Sequence, residues 1–111
     1  MNEKMMNIDG RVTYLSVNPE EFVKLMKEPG VFVIRAPIDY PKVLEGTDLV
    51  MESDNLDDYA DKLPSDKNTK MLVYCRRGNA SRYVCSLLLE KGYTNVVNLE
   101  GGLYNLLGIK E

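Results

Sequence analysis

The chain is expected to fold as an α/β domain: a central, mainly parallel five-stranded sheet with helices on both faces. Three observations point there. Val31-Phe32-Val33-Ile34 and Met71-Leu72-Val73-Tyr74 are short apolar runs without polar alternation, as in strands covered on both faces. Segments of helical period lie between the strand-like runs. The two types alternate along the chain, which is the pattern of a parallel sheet with crossover helices.

Each element has a local reason. Met1 to Gly10 is polar and aperiodic and reads as a flexible N-terminal tail, leaving residues 11–111 as one domain, which suits a chain of 111 residues. Val12 to Leu15 reads as a first strand. A helix follows, with Asn18 as N-cap, Pro19 at the first helical position, Glu21 completing a capping box, and Val17 and Phe22 spaced for a hydrophobic staple. Pro29-Gly30 ends that region, and Val31 to Ile34 is the second strand. Ala36 to Thr47, with Pro37, Pro41 and Gly46, is a long irregular connection. Leu49 to Met51 reads as a short strand. Asn55 then caps a helix with Leu56, Tyr59, Ala60 and Leu63 on one side. After the strand Met71 to Tyr74, a helix is expected from about Ser81 to Lys91, with Ala80, Val84, Leu87 and Leu88 facing inward and Gly92 stopping it. Val96 to Leu99 is the last strand, and Leu103 to Leu107 a closing helix after Gly101-Gly102.

Composition narrows the chemistry. Fourteen basic against 17 acidic residues give a net charge of −3, so nucleic acid is not an expected partner. No apolar run approaches the ~20 residues that span a bilayer, so no membrane partner is expected either. MNEKMMNIDG has no apolar core of a signal peptide, which makes the cytoplasm the expected location. The two cysteines, Cys75 and Cys85, form neither a disulfide framework nor a metal-ligand spacing, and no metal or organic cofactor is implied. There is no histidine, which excludes Cys-His and Ser-His-Asp catalysis.

The informative segment is Tyr74-Cys75-Arg76-Arg77-Gly78-Asn79-Ala80-Ser81-Arg82, which joins a strand to a helix. Ligands of open α/β sheets bind at the carboxyl ends of strands. A helix start there presents unpaired amides and a positive dipole end. No acidic residue lies between Asp66 and Glu90, whereas Lys67, Lys70, Arg76, Arg77 and Arg82 do. An ordinary thiol is only about 3% thiolate at neutral pH. A helix N-terminus favours an anion by up to ~2 kcal/mol and nearby cations add to that, so a reactive Cys75 needs no histidine. The same field would attract an anionic substrate. Cys85, by contrast, reads as a small core residue.

These residues resemble the rhodanese family. CRRGNAS matches its active-site pattern Cys-x-x-Gly-x-x-Ser, NPEEFVKLM its first helix, VFVIRAPIDY its Asp-Val-Arg-x-Pro-x-Glu-Tyr segment, and KGYTNVVNLEGGLYNLLG its closing strand and Gly-Gly turn. The resemblance implies a three-layer domain and a sulfurtransferase. Cys75 would take a sulfane sulfur from an anionic donor (thiosulfate, a polysulfide or a persulfide) and pass it to a small thiol, a protein thiol or cyanide. By position, Arg76, Arg77, Gly78, Asn79 and Ala80 would form the cradle and Ser81 would orient the loop, with Arg35 and Arg82 in support. The chain departs from the family at Val33, where aspartate is usual. It departs again at LEGTDLVMES around Gly46, in place of Gly-His-Ile-x-Gly-Ala, and at Ala80, where many thiosulfate-using members carry a larger or basic residue. The first two departures favour an alternative, a non-catalytic or regulatory binding module of the same family; the third favours a donor other than thiosulfate. A phosphatase would need arginine six positions after the cysteine; Ser81 stands there, and Arg82 comes one later.

Overall fold

The computed structural model describes residues 3–5 and 13–109. The elements are β1 (Glu3–Met5), β2 (Leu15–Val17), α1 (Pro19–Met26), β3 (Phe32–Arg35), β4 (Leu49–Val50), a 3-10 helix (Leu56–Lys62), β5 (Met71–Tyr74), α2 (Asn79–Glu90), β6 (Val96–Leu99) and α3 (Gly102–Leu107). The sheet runs β1-β2-β6-β5-β3-β4. The five strands from β2 to β4 are mutually parallel, as expected, and β1 is antiparallel to β2 at one edge. That edge strand lies inside the stretch read as a flexible tail. Its backbone ladder with β2 carries no hydrophobic signature, so a polar sequence could not announce it. The rest of Met1 to Gly10 lies outside the described residues.

Every residue of β5 and β6 is buried, because helices cover both faces. Alternate residues of each strand serve opposite layers. One layer joins Val17, Phe22, Leu25, Val33, Leu72, Tyr74, Val97, Leu99 and Leu103, and packs α1 and α3 on the sheet. The other joins Ile34, Leu49, Met51, Leu56, Met71, Val73, Cys75, Val84, Cys85 and Leu88, and packs α2 and the 3-10 helix. Val33, a departure from the family pattern, is thus a core residue, and its backbone amide is held by the Asp48 carboxylate at 2.8 Å.

Helix starts follow the caps. The Asn18 side chain accepts from the Glu21 amide at 2.9 Å, an arrangement worth about 1 kcal/mol. The segment after Asn55 is a 3-10 helix, not the α-helix its period suggests. The Asn55 side chain caps the Asp57 amide, Leu56 alone of the segment is buried, and the Tyr59 hydroxyl is drawn to the Glu52 and Ser53 amides. With little apolar surface to bury, local hydrogen bonds set the tighter winding. The first parallel strand is Leu15–Val17 rather than Val12 to Leu15, set by its pairing with Val97–Leu99. Helix α2 begins at Asn79, two residues before the expected start, since Gly78 in the left-handed region (φ 101°) serves as its N-cap. Among the described residues, no helix is long and apolar enough to cross a membrane.

Candidate active site

Cys75 directly follows β5, at the carboxyl end of the sheet's centre, and its loop runs into the first turn of α2. Helix α3 holds that loop in place. The Leu103 amide donates to the Cys75 carbonyl at 2.8 Å and the Tyr104 amide to the Arg76 carbonyl at 2.9 Å. So close an approach requires Gly102. A Cβ there would stand 2.5 Å from the Arg76 carbonyl carbon and oxygen and 2.7 Å from the Arg77 nitrogen. The Gly-Gly turn is therefore the clamp on the Cys75 loop.

Cys75 is 1% exposed and lines a pocket of about 290 Å³. Arg76, Arg77, Asn79 and Ala80 form one wall, and Pro37, Ile38 and Asp39 the other. The Gly78 amide donates to Sγ at 2.9 Å, and the thiol faces the Ser81 hydroxyl at 3.3 Å. Arg76, Asn79 and Ala80 enter the site as pocket wall. Arg76 also donates to the Asp39 carbonyl at 3.2 Å, tying the two walls together. The Arg76 and Arg77 guanidinium groups lie 6.0 and 5.5 Å from the Tyr104 ring centroid, and Tyr40 meets that ring edge-on at 5.5 Å. The rim is thus cationic and aromatic. A larger cleft of about 400 Å³, lined by Asp57, Tyr83, Glu90 and Lys91, holds no cysteine; Cys75 lines the smaller pocket.

The supporting arginines separate. Arg35 is buried on the face opposite Cys75 and donates to the Tyr40 and Lys42 carbonyls at 3.0 and 3.2 Å. It shapes the segment that carries Pro37 to Asp39 and reaches the pocket only through that backbone. Tyr74 fixes the same segment: its hydroxyl accepts from the Leu44 amide at 2.9 Å and pairs with the Thr47 hydroxyl at 2.7 Å. Arg82 is exposed on α2 and does not line the pocket.

Sequence reasoning missed a buried polar chain behind the sulfur. Ser81 donates to the Asn98 side-chain carbonyl at 2.5 Å, and the Asn98 amide donates to the Ser16 hydroxyl at 2.9 Å. Ser81 and Asn98 are fully buried and Ser16 is 4% exposed. The signal was one asparagine inside the otherwise apolar run Val96-Val97-Asn98-Leu99.

Cys85 is buried on α2, and burial pushes its thiol well above its ordinary value of 9.0, with Cys75 adding to the effect. The folded state therefore holds this proton where the unfolded chain releases it, so stability is intact below pH 9 and falls as pH rises through and beyond it. Chemical denaturation of wild type and Cys85→Ala at pH 8 and pH 10 checks this: the stability difference between the two proteins is expected to shrink at pH 10.

The match to a rhodanese-like domain covers residues 9–107. A tRNA uridine(34) hydroxylase from Synechocystis is 30% identical over 98 residues, covering 82% of this chain and 35% of that protein. A sulfurtransferase from Allochromatium vinosum is 38% identical over 42 residues, 38% of this chain and 37% of that protein. The chain thus spans little more than a third of either curated relative. A rhodanese homologue from Thermus thermophilus superposes with a TM-score of 0.59 at 29% identity, over 82% of this chain and 99% of that one.

Proposed function

The chain belongs to the rhodanese-like domain family, and from that premise we propose that it is a sulfurtransferase with Cys75 as its sulfur carrier. The observation that carries the reading is the Cys75 sulfur, bonded by the Gly78 amide and Ser81 and opening into a pocket rimmed by Arg76 and Arg77. The Cys75 thiolate attacks the outer sulfur of an anionic donor. A bond from Sγ to that sulfur forms, the donor's S–S bond breaks, and sulfite or a thiolate leaves with the electron pair. A thiol or cyanide then attacks the outer sulfur, and Sγ departs as thiolate, restoring the enzyme. Each step moves negative charge within the pocket, where the fixed Gly78 amide stabilises it at the sulfur and the rim guanidinium groups attract the anionic donor. The free thiol suits a reducing compartment, the cytoplasm.

Thiocyanate formation from cyanide tests the reading. Turnover is expected with polysulfide and, more weakly, with thiosulfate, because Ala80 offers that dianion neither bulk nor charge. Absence of thiocyanate with every donor would remove the sulfurtransferase reading and leave a binding module. Arg77→Ala is expected to raise the KM for thiosulfate about two- to fivefold, as for a solvent-screened charge, with little change in kcat. Added salt should erase the difference between Arg77→Ala and wild type.

A further inference from the structure

We propose that Asn98 is a positioning residue that reverses the polarity of the hydrogen-bond chain behind Cys75 when the thiol ionises. The proposal rests on the sulfurtransferase reading of that site.

The chain runs one way in the thiol state. Cys75 donates to Ser81, Ser81 to the Asn98 carbonyl, and the Asn98 amide to Ser16. Serine has a single hydroxyl proton, so Ser81 cannot donate to Asn98 and to a sulfur anion at once. If the order were fixed, the thiolate would face a hydroxyl lone pair. An asparagine side chain presents a donor and an acceptor on one planar group. Turning that amide over lets Ser16 donate to its carbonyl, its NH₂ donate to Ser81, and Ser81 donate to the sulfur. Every buried group keeps a partner in both states, as the low-dielectric interior demands. The thiol proton leaves to solvent through the pocket, no other covalent bond is broken, and the two hydrogen bonds of Asn98 re-form with their direction reversed.

Register supports the assignment. Ser16 and Asn98 are directly paired across β2 and β6, and Asn98 is paired with Val73 of β5. Two residues beyond Val73, on the same face, is Cys75. An ionised aspartate at position 98 could accept but not donate, and leucine, of the same shape, could do neither. Among the described residues, the charged and titratable groups around the sulfur include Arg76 and Arg77 of the loop, Asp39 across the pocket, and Cys85 of α2. All of them stay in place in these variants.

The test is the rate of Cys75 alkylation by iodoacetamide as a function of pH, with folding checked by circular dichroism. Asn98→Asp is expected to lower alkylation at pH 7 at least roughly three- to tenfold, the worth of one hydrogen bond, because its carboxylate holds the Ser81 proton and also repels the thiolate. In the wild type the turned amide already leaves the Ser81 proton to the sulfur, so Asn98→Leu is expected to alkylate at pH 7 within about twofold of wild type. An Asn98→Leu rate close to wild type, together with Ser81→Ala alkylating roughly three- to tenfold more slowly because its hydroxyl no longer donates to the thiolate, supports the relay. A rise of about threefold or more in Asn98→Leu would overturn it, because that is what releasing Ser81 from a fixed acceptor gives. An unchanged or faster rate in Ser81→Ala would likewise overturn it, whether or not Asn98→Asp folds. Thiocyanate formation by the wild type, measured alongside, reports separately on the sulfurtransferase reading.

Discussion

Gly102→Ala is expected to cost about 2–4 kcal/mol of stability and to lower sulfur transfer roughly a hundredfold. Gly102 adopts φ 65°, in the left-handed region, where alanine is strained by about 1–2 kcal/mol. The added Cβ would also stand 2.5 Å from the Arg76 carbonyl. Backbone, not a flexible side-chain tip, is the obstacle, so α3 or the loop must move. Either movement weakens the Leu103 and Tyr104 amide bonds to the Cys75 and Arg76 carbonyls. The pocket walls and the Gly78 amide then lose their register with the sulfur. Gly108→Ala is the control. It has the same left-handed conformation (φ 71°) but open space around its Cβ, and is expected to lose about 1 kcal/mol with no change in transfer. Urea denaturation and thiocyanate formation on both variants check the pair.

Cys75→Ser is expected to reduce sulfur transfer to the uncatalysed background while leaving stability nearly unchanged. The serine oxygen fills the same place, beside the Gly78 amide and Ser81. A hydroxyl stays protonated at neutral pH, however, and no histidine exists in the chain to deprotonate it. Cys85→Ala, by contrast, is expected to retain full transfer, since burial keeps that thiol protonated and hidden. Thiocyanate formation by the two variants separates the carrier from the core thiol.

Much of this architecture was legible in the residues. Met71–Tyr74 and Val96–Leu99 were read with their observed bounds because strands buried on both faces are continuous apolar runs. Asn18 and Pro19 located α1 because capping is local chemistry. The Cys75 loop stood out through its position after a strand and its local cluster of cations. What escaped depends on partners distant in sequence. Edge strand β1 exists through backbone pairing with β2, to which any side chain is compatible. Pro37 and Ile38 reach the pocket because Arg35 and Tyr74 pin the segment beyond them. The Ser16–Asn98 contact spans 82 positions and shows only once β2 and β6 are paired. Gly101-Gly102 was read as a turn, but its closeness to the Arg76 carbonyl is a tertiary fact.

The central claim is that Cys75 accepts and holds a sulfane sulfur. Intact-protein mass after exposure to polysulfide, followed by removal of excess donor, tests it most directly. Wild type and Cys85→Ala should each gain one sulfur atom, which cyanide then strips, and Cys75→Ser should gain none. A wild-type protein that stays at its starting mass with every donor, or a Cys75→Ser variant that gains the same sulfur, would contradict the account.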